Sequence, residues 1–127
     1  MEKRVRAAIE RALAAPGAEA EGLATRDLEE LGRHAANLRE MGFEIQVRGD
    51  GLRVHHASGF DAVVPVGDPD DLDPLRTLFR ALRSAFGGAL ERWLPGWVQA
   101  GPAVTRPYES IKAVLGACQR LRGLRPA

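Results

Sequence analysis

The chain of 127 residues has little that carries chemistry by itself. With one cysteine, no internal disulfide can form. That cysteine and the three histidines do not fall at zinc-ligand spacing. Neither a G-x-S-x-G nucleophile turn nor a phosphate-binding P-loop occurs. Aromatic residues are only 6%, which leaves aliphatic side chains to build the core. Charge of one sign is also lacking: 18 Lys and Arg against 17 Asp and Glu leave +1. That balance excludes a histone-like polycation and a chain held open by self-repulsion. No apolar run approaches the ~18 residues a membrane helix needs, and Met1-Glu2-Lys3-Arg4-Val5-Arg6 does not read as a secretory leader. What is present is a hydrophobic fraction of 45%, enough for a globular core. The expectation is one soluble, cytoplasmic domain over residues 1–127, with no membrane partner.

Periodicity divides the chain into elements. Val5, Ala8, Ile9, Ala12 and Leu13 form one stripe at helical spacing, stopped by Pro16-Gly17. A second helix is predicted over about Thr25 to Met41, with Leu28, Leu31, Ala35 and Leu38 as its seam. Asp27 with Glu30 has the form of a capping box, with Thr25 a competing N-cap, and Gly42 stands where a C-terminal glycine cap belongs. The period then becomes two. Phe43, Ile45 and Val47 alternate with polar residues, Gly49-Asp50-Gly51 suits a tight hairpin, and Leu52 and Val54 mark the return strand. Phe60, Ala62, Val64 and Val66 mark a third strand, which Pro65 assigns to an edge.

Asp73 as N-cap and Pro74 at the first helical position predict a third helix. Its apolar face runs through Leu75, Leu78, Phe79, Leu82, Phe86, Leu90 and Trp93, with Gly87-Gly88 as a bend or break. Residues 97–107 read as irregular, and a last helix is predicted over about Pro107 to Arg122. The order is α-α-β-β-β-α-α: an α+β fold with a three-stranded antiparallel meander packed on helices.

Candidate chemistry is sparse. Asp68, Asp70, Asp71 and Asp73 are the densest charge cluster, but calcium-loop spacing fails and acidic residues before a helix favour capping. His55 and His56 are adjacent in a strand and point to opposite faces, so they cannot share a ligand. His56 falls on the apolar face, and Asp61 can approach His55 across the hairpin. Cys118 lies on an apolar helix face, the setting of a core thiol. Arg76, Arg80 and Arg83 recur at i, i+4 and i+7, a stripe suited to phosphates or an acidic partner surface. Trp93 and Trp97 bracket Leu94-Pro95-Gly96 and would anchor a partner if that segment projects.

Within residues 28–59, the run from Leu31 to Ile45 followed by Gly49-Asp50-Gly51-Leu52-Arg53-Val54 resembles the last helix and wing of biotin-repressor-type winged-helix domains. There a helix ending in L-R-x-x-G, here Leu38-Arg39 to Gly42, feeds a hairpin. That resemblance implies a helix in the DNA major groove, with Arg26, Arg33, His34 and Asn37 toward DNA. The same stretch is similar to TubC-type docking domains, through Leu38 to Gly42, Gly49 to Val54 and Ala57-Ser58-Gly59. That resemblance implies a small assembly module whose hairpin receives a partner peptide by strand addition. Phe60 to Val66 is an insertion relative to the pattern, and the first and last helices are additional.

The leading expectation is a non-catalytic module for protein–protein interaction or self-assembly, contacting partners through the meander edge, Trp93 and Trp97, and the arginines. A winged-helix-like nucleic-acid-binding protein is the alternative. No constellation calls for an enzyme, a cofactor or a metal.

Overall fold

The computed structural model describes residues 3–14, 25–87 and 102–123. Trp93 and Trp97, and with them Leu90, lie outside the described residues. The order is α1 (Lys3–Ala14), α2 (Thr25–Glu40), β1 (Phe43–Arg48), β2 (Gly51–His56), β3 (Asp61–Pro65), α3 (Asp73–Leu82), a π-helical turn (Arg83–Gly87) and α4 (Pro102–Gly123). This is an α+β fold: a β1-β2-β3 antiparallel meander packed on helices.

The two N-terminal helices follow their sequence patterns. Val5, Ala8, Ile9, Ala12 and Leu13 are buried on α1, and Leu28, Leu31, Ala35 and Leu38 on α2. Gly42 ends α2 with φ 85, a left-handed conformation cheap only for glycine. The expected capping box is not formed. Asp27 lies inside the helix, and Arg120 of α4 takes both carboxylates, Nε to Asp27 at 2.9 Å and Nη2 to Glu30 at 2.9 Å. A long-range cation outcompetes the local backbone because α2 packs along α4.

Strand alternation places Phe43, Ile45, Leu52, Val54 and Val64 in the core. His56 shares that face. Its Nδ1 accepts the Ser58 N–H at 3.0 Å, so Nε2 carries the proton and donates to the Met41 carbonyl at 3.1 Å. Its ring packs with Phe43 and Phe86, centroids 4.5 and 4.9 Å away.

Three boundaries differ from expectation. Helix α3 starts at Asp73, not after it: the N-cap is Leu72, which has no side-chain cap, and the Asp71 carboxylate accepts the Asp73 N–H at 3.1 Å. The α-helix then closes at Leu82, and the wider π turn carries Phe86 onto the Phe43, His56 and Phe60 rings. Helix α4 starts at Pro102, so residues 102–106, expected to be irregular, are helical and Pro107 lies inside. An interior proline costs ~3 kcal/mol in a helix, and here it is offset by near-complete burial of Pro107 and Val104. Among the described residues, no helix is long and apolar enough to cross a membrane.

Candidate functional site

Among the described residues, the sheet order leaves two unpaired edges, β1 and β3. Backbone bonds from His56 N–H to the Phe60 carbonyl and from Val66 N–H to the Asp50 carbonyl, both 2.9 Å, fix which β3 residues face β2. In an antiparallel pair these alternate, so Ala62 and Val64 bond inward while Asp61, Val63 and Pro65 direct their backbone groups to the open edge. Pro65 offers only a carbonyl there, since it has no N–H. Val63 is 60% exposed.

Alongside this edge runs α3, returning antiparallel to β3 so that Phe86 reaches Phe60. A groove of about 320 Å³ separates the two elements. Val63 and Pro65 line one wall and Pro74, Thr77 and Ala81 the other, with Asp71 and Asp73 at the α3 N-terminal end. The small helix side chains keep it open. Gly51, paired with Pro65 in β2, allows close strand approach: a Cβ there would meet the Val64 carbonyl oxygen at 2.9 Å and Val63 Cγ1 at 3.3 Å.

The β1 edge carries a second groove, about 390 Å³, with charged and polar walls from Glu10, Arg39, Glu44 and Gln46 beside Leu13 and Val47. Arg39 crosses it to the Leu13 carbonyl at 2.8 Å.

On the sheet's open face, Glu44, His55 and Asp61 form one cross-strand row. Asp61 does approach His55, but Nδ1 to Oδ2 is 3.8 Å, beyond hydrogen-bond length. Arg53 takes the carboxylate instead, Nε to Oδ1 at 3.1 Å and Nη2 to Oδ2 at 2.5 Å, and holds the Asp61 carboxyl below its ordinary range. An exposed carboxylate bound bidentately by arginine is poorly placed to accept a proton from a neighbouring imidazole.

The aspartates before α3 serve the backbone: Asp68 Oδ1 accepts the Asp70 N–H at 2.9 Å, as Asp71 does for Asp73. Burial pushes the Cys118 thiol up to about 12, as expected of a core cysteine and not a nucleophile.

Arg76, Arg80 and Arg83 are all exposed. Arg76 pairs weakly with Asp73 at 3.4 Å. At 100° per residue, Arg76 and Arg80 flank the buried stripe of α3 on the side opposite Pro74, Thr77 and Ala81. Arg76 and Arg80 therefore lie on a different flank of α3 from the groove beside β3. On α2, Arg26, Arg33 and Asn37 are exposed along one line, interleaved with exposed Glu29 and Glu40. His34 departs from that group. It is turned toward the helix layer, its Nδ1 is buried without a partner, and burial, aided by Arg33, lowers its pKa.

The groove walls Thr77 and Ala81 carry no signal in the sequence, because nothing local says that α3 lies beside β3. Pro65 was the legible clue. Comparison with protein-family models, with curated proteins and with solved structures returns no match.

Proposed function

We propose that this chain is a non-catalytic interaction module that takes an extended segment of a protein partner onto the free edge of β3. The single observation that carries the reading is Val63, whose outward backbone groups and 60% exposed side chain stand at the rim of an apolar groove. Strand addition uses such an edge for affinity, through main-chain hydrogen bonds, and the adjacent groove for selection of side chains. Unprotected edges of this kind invite pairing, and natural sheets usually blunt them. Here Pro65 removes one donor at the end of the strand and leaves the middle open.

Val63→Pro tests this directly. The Val63 N–H points away from β2, so proline removes the edge donor without costing a β2–β3 bond. Partner capture by the immobilised chain is expected to be lost in Val63→Pro while its thermal transition and circular dichroism persist. Capture that survives the substitution removes the reading.

The exposed line of Arg26, Arg33 and Asn37 on α2, the helix that leads into the β1–β2 hairpin, supports the second reading, nucleic-acid binding by a helix and wing. It predicts salt-sensitive retention of duplex DNA that Arg33→Ala weakens. Retention unchanged between low and high salt would count against it. The interleaved Glu29 and Glu40 make this the weaker fit to a polyanion.

A further inference from the structure

The groove beside β3 is unequal at its two ends, and this bears on what it accepts. Along its length the walls are apolar or small, from Val63 and Pro65 to Pro74, Thr77 and Ala81. A strand added ~4.8 Å beyond β3 alternates its side chains between the α3 wall and the open face. Every second residue therefore enters the space that the small α3 side chains leave.

The α3 N-terminal end differs. Asp71 and Asp73 line it, and Asp68 and Asp70 are exposed in the adjoining turn, closed by the Asp71 N–H on the Asp68 carbonyl at 3.0 Å. The nearby positive charge is smaller. Arg76 reaches Asp73 only at 3.4 Å, Arg122 donates to the Val66 and Gly67 carbonyls, and the helix N-terminus adds about half a charge. Four carboxylates outweigh these, so this end of the groove is acidic.

Resting on the edge-docking reading above, we infer that the partner segment is apolar on alternate residues and carries a lysine or arginine where it passes Asp71 and Asp73. A second copy of this chain fits less well. Antiparallel self-pairing with Val63 on the dyad sets Asp61 of the second copy, already bound by its own Arg53, against Pro65 and brings no free cation to the acidic end.

The test uses the full chain, isotope-labelled, titrated with heptapeptides of alternating valine and threonine that carry one lysine at either the N- or the C-terminus. Control peptides carry glutamate in its place. The expected result is shift changes at the Val63, Thr77 and Ala81 amides with one of the lysine peptides, and at least tenfold weaker binding of the glutamate peptides. The Asp71→Asn, Asp73→Asn double variant should weaken the lysine peptide at least fivefold at low salt and narrow its advantage over glutamate. Equal binding of lysine and glutamate peptides at these amides would overturn the basic-ended partner while leaving edge docking intact. No binding by any peptide, with the Val63 amide unmoved, would overturn both. Sedimentation of a dimer that Val63→Pro converts to monomer would identify a second copy as the occupant and overturn the inference.

Discussion

At the scale of single residues, two glycines hold positions that a Cβ would crowd, and one histidine binds its proton differently in the folded chain. Gly42 has φ 85, and a Cβ there would stand 3.0 Å from Nε2 of His56, the atom that donates to Met41. Gly42→Ala is expected to cost about 1–2 kcal/mol from the left-handed backbone alone, read as a lower urea midpoint at unchanged m-value. Gly51→Ala meets the backbone carbonyl of Val64 instead, and crowding of that kind typically costs about 1–3 kcal/mol. His34 makes stability depend on pH. Its folded-state pKa is depressed below 6.5, first by burial and then by Arg33, with Glu30 opposing. The unfolded chain therefore binds its proton more readily. Stability falls as pH drops below about 6.5 and continues to fall until the folded pKa is passed. Urea melts of His34→Leu at pH 7.5 and 5.5 should show a smaller acid-induced loss than the parent chain. An equal loss would assign the effect to other groups.

At the scale of elements, the sequence marks some ends well and others poorly. Gly42 and the Gly49-Asp50-Gly51 turn are local devices, and the helix end and hairpin fall where they indicate. Asp27 and Glu30 also looked local. They are the acceptors of a pair formed across 90 and more positions, with Arg120, and no local pattern distinguishes that from a capping box. Pro107 misleads for a related reason: proline normally opens a helix, yet burial of Val104 and of Pro107 itself lets α4 run through it. The Arg120 link yields a prediction about α2–α4 packing. Asp27 and Glu30 are mostly covered while Arg120 is half exposed. Arg120→Met should lower stability by roughly 0.5–1.5 kcal/mol at low salt, less at 1 M, and Arg120→Lys should recover only part, since one ammonium does not span both carboxylates. A double-mutant cycle with Asp27→Asn measures the coupling.

At the scale of the whole molecule, the fold class and the composition of the core were written in the periodicity. Stripes at 3.6 and 2 identify which side chains seek cover, and hydrophobic burial is governed by that pattern wherever each face ends up. The amino-acid sequence by itself thus determined the element order, the meander, the inward His56 and the core Cys118. Only the tertiary structure decided which surfaces coexist. It laid α3 along the open edge of β3, turned Arg76 and Arg80 to the opposite flank, and gave Asp61 to Arg53 instead of His55. Those outcomes depend on how elements dock. Docking is set by the summed contacts of residues far apart in the chain, and no local pattern encodes that sum.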